Sequence, residues 1–154
     1  MSAASPPLRV LMVDDSPADV DLILRHLLRA GYRIEHQRVD RADDFGAALR
    51  ESRWDVILCD YSIPGFGAHH ALARLNAATL PIPFILVSGG IPSEHVVELM
   101  RDGARDYIPK SNLDRLPGAI RRELAEKRRS LVGSGALPLQ AGGRGPRKPP
   151  RRRQ

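Results

Sequence analysis

Three carboxylates, a hydroxyl and an ammonium each follow a short apolar run. Asp14 and Asp15 close Leu8-Arg-Val-Leu-Met-Val13, and Asp60 closes Val56-Ile-Leu-Cys59. Ser88 closes Ile82 to Val87, and Lys110 follows Arg105 to Ile108 after one proline. Runs of this length, bounded by turn signals, read as buried strands. In open α/β sheets, ligands bind outside the carboxyl ends of the strands. If these strands are parallel, all five side chains converge on one edge. Acids crowded into one cleft raise one another's pKa values. A hard cation relieves that repulsion, and magnesium takes carboxylates, a carbonyl and waters while keeping phosphate oxygens among its ligands. With Lys110 as a second positive charge, the cluster suits phosphoryl transfer, metal and ammonium stabilising the equatorial oxygens. Asp60 is the acid best placed as nucleophile, giving an acyl phosphate. Taken alone, Asp60 reads equally well as a cap on the turn signalled by Pro64-Gly65.

The elements that would position these residues alternate strand and helix five times. After Asp15, Ser16-Pro17 opens a helix, with Ser16 as N-cap, Pro17 in the first helical position and Asp19 in an acidic first turn. Val20, Ile23, Leu24, Leu27 and Leu28 recur at helical spacing, and Gly31 stops the helix. Arg33 to Val39 is a weak strand. Asp40 can cap a helix that packs through Phe45, Ala48 and Leu49, and Trp54 leads into the strand that ends at Asp60 as core or rim. Residues 66–78 form a helix with Ala68, Ala71, Leu72 and Leu75 inward. Ser93 can cap the next, with Val96, Leu99 and Met100 inward and Gly103 as its stop. The last helix starts near Pro117 and carries Leu116, Ile120 and Leu124 at four-residue spacing. This alternation argues for a parallel sheet with helices on both faces, and continuous apolar strands fit burial on both sides.

The 154 residues suffice for one domain with a core and a tail. The net charge of +6 is a property of the tail. From Lys127 onward stand nine Lys/Arg and no acid, so the preceding residues hold 15 basic against 18 acidic side chains. The expected division is an N-terminal tail over 1–7, a folded domain over 8–130 and a basic Gly/Pro/Arg-rich tail over 131–154, the last expected to be disordered. The single cysteine, Cys59, excludes a disulfide framework and points to a reducing, cytoplasmic setting. Neither a signal peptide nor an integral membrane segment is apparent. Adjacent His69 and His70 do not face each other on a helix, so this pair reads as a solvated face and not as a metal pair. Cys59 reads as strand core.

Four motifs in order, Val13-Asp-Asp-Ser16, Ile57-Leu-Cys-Asp60 with Pro64-Gly65, Val87-Ser-Gly89 and Gly103-Ala-Arg-Asp-Tyr-Ile-Pro-Lys110, resemble the receiver domain of two-component response regulators over about residues 8–130. The resemblance implies a flavodoxin-like doubly wound (βα)5 fold with strand order 2-1-3-4-5. It implies that Asp60 accepts a phosphoryl group from a phosphohistidine on a sensor histidine kinase or histidine phosphotransfer protein. Asp15 would bind magnesium directly and Asp14 largely through water, joined by Asp60 and the backbone carbonyl of Ser62. Lys110 would pair with the phosphoryl oxygens and Ser88 would move to hydrogen-bond them. Tyr107 matches an aromatic switch that follows Ser88, and the face of the fourth helix, fifth strand and fifth helix would change partners.

One departure concerns the residue after Lys110, where such domains usually carry proline and this chain has Ser111. A cis bond there would cost about 2.5–4 kcal/mol, so either a strained cis bond or a rearranged loop is expected. Pro109 cannot donate to a ladder and suits an edge strand. Asp106 to Glu123 resembles receivers found alongside sensory and kinase modules. Past residue 130 nothing is long enough for a helix-turn-helix or an enzyme domain, so a single-domain regulator is expected, not itself an enzyme. The alternatives are a phosphorylation-independent interaction module and a regulator whose basic tail binds nucleic acid or another anionic partner. A phosphatase using an aspartyl phosphate is disfavoured, because the second acid it needs falls at Ser62.

Overall fold

The computed structural model describes residues 6–136, with side chains to residue 129. Strands β1 (Leu8–Val13), β2 (Ile34–Val39), β3 (Val56–Cys59), β4 (Phe84–Ser88) and β5 (Asp106–Pro109) alternate with helices α1 (Pro17–Arg29), α2 (Ala42–Glu51), α3 (Ala68–Ala78), α4 (Ser93–Asp102) and α5 (Leu116–Ala136). A 3-10 turn, Lys110–Arg115, joins β5 to α5. All pairings are parallel, in the order β2-β1-β3-β4-β5. The chain therefore has the flavodoxin-like doubly wound fold.

Side chains along each strand point to alternate faces, which splits the core in two. Leu8, Val10 and Met12 of β1, with Val56 and Leu58 of β3, pack against Val20, Ile23 and Leu27 of α1 and Leu116, Ala119 and Ile120 of α5. Leu11 and Val13, with Ile57 and Cys59, face Phe45 and Ala48 of α2, Leu72 and Leu75 of α3, and Leu99 of α4. The sheet is thus covered on both sides, which is why β3 is apolar throughout, β4 as far as Val87, and β1 everywhere but Arg9. Strand β2 is the exception. It lies on an edge, and only Val39 of its six residues is buried. Strand β5 forms the other edge, so Pro109 pairs with Ser88 where its missing N–H leaves no gap in a central ladder.

Several local expectations hold. Ser16 Oγ accepts the Asp19 amide at 3.2 Å, and Pro17 begins α1. Gly31 and Gly103, at φ +99° and +124°, take the left-handed turn past their helices. Trp54 is buried and donates its indole N–H to the Ala48 carbonyl at 2.9 Å.

Others are corrected. Neither Ser93 nor Asp40 caps a helix. Pro92 and Arg41 precede α4 and α2 without a side-chain bond, and Asp40 instead faces Arg38 at 3.4 Å. Leu28 and Met100, expected inward, are 56% and 41% exposed because their helices touch the sheet along a narrower stripe than the apolar spacing allows. Helix α5 runs to Ala136, past the expected start of the tail, since no proline interrupts residues 118–137. Residues 1–5 and 137–154, including most of the basic tail, lie outside the described residues. Among the described residues, no helix is long and apolar enough to cross a membrane.

Candidate functional site

The register of the sheet puts the chemistry together. Val13 pairs with Cys59, so Asp14 and Asp60 leave adjacent strands side by side. Both backbones are tied at this point, Asp14 N–H to the Val39 carbonyl at 3.0 Å and Asp60 N–H to the Val13 carbonyl at 2.8 Å. Carrying the alternation one residue past the strands places Asp14 and Asp60 on the same face as Met12 and Leu58. Lys110, two residues beyond Ile108, shares that face and stands two strands away from Asp60. Strands lie about 4.8 Å apart, so only a long side chain can bridge that gap.

The bridge is made. Lys110 Nζ donates to Asp14 Oδ2 at 2.9 Å, to Asp19 Oδ2 at 2.8 Å and, more loosely, to Asp60 Oδ2 at 3.3 Å. Ser88 Oγ donates to the other oxygen of Asp60, Oδ1, at 2.8 Å. Asp14 Oδ1 accepts the Ser16 amide at 2.9 Å, an Asx turn that fixes the carboxylate as α1 begins. Asp14 is buried, Asp60 and Lys110 are half-buried, and Asp15 is exposed at the rim. Beside Asp15 an open cavity of about 600 Å³ is lined in part by Asp40, Arg41 and Pro64. The loop beyond Asp60 turns at Gly65, whose φ of +76° suits glycine.

Burial pushes the Asp14 carboxyl above its usual value, and Asp60 adds to the rise; the Ser16 amide and Lys110 oppose it without prevailing. Burial alone would lower the Lys110 ammonium, but the bonds from Asp19 and Asp14, and the charges of Asp14 and Asp60, hold it above its usual value. Both shifts are upward, but the rise favours the charged form of Lys110, which draws on three acids, and disfavours that of Asp14, which has only a share of one ammonium. Cys59 is fully buried, and its thiol is raised well above the usual value by that burial and by the charges of Asp60 and Asp14. It is an inert core thiol.

Asp14, Asp15 and Asp60 each offer an oxygen within 4.8 Å of the others. Three carboxylates at this spacing, one of them already strained by burial, fit a hard divalent cation with oxygen ligands. Ser62 lies exposed in the loop two residues past Asp60. Tyr107 is half-buried and packs against the core on the α3–α4 side. Asp19 is the site residue that sequence reasoning missed as a partner of Lys110. Its signal was present in the capped first turn of α1, which the Ser16 cap aims at the strand ends.

Fold and site together describe a doubly wound domain with an acidic pocket at the carboxyl ends of its strands. Residues 10–121 match the response regulator receiver domain family, and the chain belongs to it. It is 33% identical over 104 residues to protein PilH of Pseudomonas aeruginosa, covering 66% of this chain and 84% of that one. It is 34% identical over 138 residues to protein-glutamate methylesterase/protein-glutamine glutaminase 2 of Caulobacter vibrioides, covering 85% of this chain but only 39% of that enzyme. Among solved structures it resembles a CheY-like receiver domain protein from Methanospirillum hungatei at 25% identity and a TM-score of 0.70, covering 81% and 99% of the two chains. It also resembles the signal receiver domain of a histidine kinase from Syntrophus aciditrophicus, at 27% identity and a TM-score of 0.66, covering 79% and 92%.

Proposed function

We propose that this chain is a response regulator that accepts a phosphoryl group on Asp60 from the phosphohistidine of a sensor histidine kinase or histidine phosphotransfer protein. The observation that carries this reading is that both oxygens of Asp60 are engaged, Oδ1 by the Ser88 hydroxyl and Oδ2 by Lys110, at the mouth of a three-carboxylate pocket. A carboxylate oxygen of Asp60 attacks phosphorus as the histidine N–P bond breaks, and the histidine nitrogen leaves with its electron pair. An acyl phosphate on Asp60 results. Lys110 lies where it can neutralise the transferred oxygens, and the Ser88 hydroxyl can turn from Asp60 Oδ1 to one of them. Hydrolysis of the O–P bond returns Asp60 and inorganic phosphate.

Asp14, Asp15, Asp60 and the Ser62 carbonyl would hold magnesium, which supplies positive charge to the phosphoryl oxygens. Lys110 bridges Asp14, Asp19 and Asp60, so one side chain offsets part of the pocket's negative charge. The readout would pass through Ser88 and Tyr107 to the face of α4, β5 and α5, where Val97 and Met100 lie exposed for a downstream protein. The chain would work in the cytoplasm, where histidine kinases carry their phosphohistidines, and the folded unit itself catalyses no reaction on another substrate.

A small phosphodonor with magnesium, followed by intact mass, tests the reading. One added phosphoryl that Asp60→Asn abolishes is the expected result. No gain with magnesium present would identify the chain as a phosphorylation-independent interaction module.

A further inference from the structure

Tyr61 follows Asp60 but faces the other side of the sheet, against α3 and α4. Its hydroxyl is hydrogen-bonded to His95 Nδ1. The His95 and His69 rings lie 5.6 Å and 6.1 Å from the Tyr61 ring. The two imidazoles stand 5.6 Å apart with their planes at 85°, and His69 Nε2 is 3.3 Å from Glu98 Oε1. His95 and Glu98 are three residues apart on α4 and so share a face. His70 is directed elsewhere, its Nδ1 meeting the Phe66 carbonyl at 3.0 Å.

We propose that His69, His95 and Glu98 form a second metal site, for a zinc-class transition ion, that clamps α3 to α4. Two imidazoles and a carboxylate are a set that zinc accepts while keeping a fourth position for water. Ligands about 2.0–2.1 Å from a tetrahedral ion lie about 3.3 Å from each other, the separation of His69 Nε2 and Glu98 Oε1. Two imidazoles on one such ion have ring centres about 5 Å apart, near the spacing of His69 and His95. His69 and Glu98 are 43% and 54% exposed in their side chains, so an ion can enter from solvent. Magnesium does not compete, since it prefers oxygen ligands and the acidic pocket beside Asp60.

The set is not closed as it stands. Among the described residues only Asp14, Asp15 and Asp60 already bring one ligand atom each within 4.8 Å of the others. The His95 ring must turn to complete the new site, and Tyr61 is what holds that ring. Binding therefore acts on the residue next to Asp60, which couples a transition ion on α3–α4 to the loop that carries the acidic pocket.

The test titrates Co2+, as a spectroscopic stand-in for Zn2+, into the untagged full chain saturated with Mg2+. One Co2+ per chain with the strong visible absorption of a tetrahedral site, displaced by Zn2+, is expected. The absorption should vanish in His69→Ala, His95→Ala and Glu98→Gln, and persist in His70→Ala and Asp60→Asn. An absence of Co2+ uptake overturns the proposal. So does uptake that Asp60→Asn abolishes, that His70→Ala removes, or that His69→Ala and Glu98→Gln both leave unchanged.

Discussion

Lys110 and Asp14 carry opposite electrostatic costs, and each gives a prediction with a definite sign. Because the folded-state pKa of Lys110 is raised, its contribution to stability is full below about 10.5, the ordinary value, and is lost as pH rises through the folded value. Melting of the unphosphorylated protein in metal-free buffer should fall across that alkaline range, and Lys110→Met should remove this component. At pH 8 the same variant leaves the acids without their shared ammonium. It should lose about 2 kcal/mol of stability, since it forfeits hydrogen bonds to charged partners, and magnesium should restore most of that loss. The Asp14 shift has the same sign and acts in a lower pH range. Its raised pKa means that the folded state binds the proton more tightly, so its contribution falls as pH climbs past 3.8. At neutral pH its charge is a net cost, and Asp14→Asn should stabilise the metal-free protein by about 1 kcal/mol while weakening magnesium binding. A metal-free melt at which Asp14→Asn is less stable than the parent would overturn this account of the pocket.

At the scale of elements, α4 is the most thinly buried of the helices among the described residues. It buries Leu99 alone, whereas α1 buries three residues and α3 four. Few buried apolar contacts mean low local opening energy. Hydrogen exchange should therefore run faster in the α4 amides than in those of α3, and phosphorylation or zinc should slow it; equal protection in α3 and α4 would contradict this. The sequence showed where α4 lies but not how thinly it is attached. Val96 and Met100 share the apolar spacing of Leu99, and only the observed crossing over the sheet leaves Val96 half-buried and Met100 exposed. Strands β1, β3 and β4 were legible because burial on both faces writes itself as an apolar run, broken only by Arg9 before the site residues are reached. Strand β2, with Glu35, His36, Gln37 and Arg38 exposed on an edge, leaves no such mark. The same logic divides the sites. Asp14, Asp60, Ser88 and Lys110 could be collected from sequence because each ends a readable strand. The meeting of Asp19 with Lys110, and of His69 with His95 and Glu98, is set by how helices lie across the sheet, which no local pattern records.

At the scale of the whole molecule, charge is divided between a mildly acidic folded unit and a strongly basic C-terminal stretch. The nine basic residues from Lys127 onward offset a net deficit of three before them. Three of the nine, Lys127, Arg128 and Arg129, sit within α5. Truncation should therefore follow Ala136 and not residue 130, so that the helix is kept whole while six basic residues are removed. The shortened chain should melt within about 0.5 kcal/mol of the parent and take up the phosphoryl group on Asp60 equally well, because no described contact of the pocket involves the removed segment. If the segment is an electrostatic arm, the full chain should bind a DNA duplex with an affinity that falls steeply with salt, the log–log slope approaching about −5 for six neutralised phosphates. The truncated chain should lose that dependence. Binding of equal strength and slope in both chains would place the anion site on the folded unit instead. Loss of phosphorylation on truncation would show that the C-terminal stretch belongs to the receiver and is no independent arm.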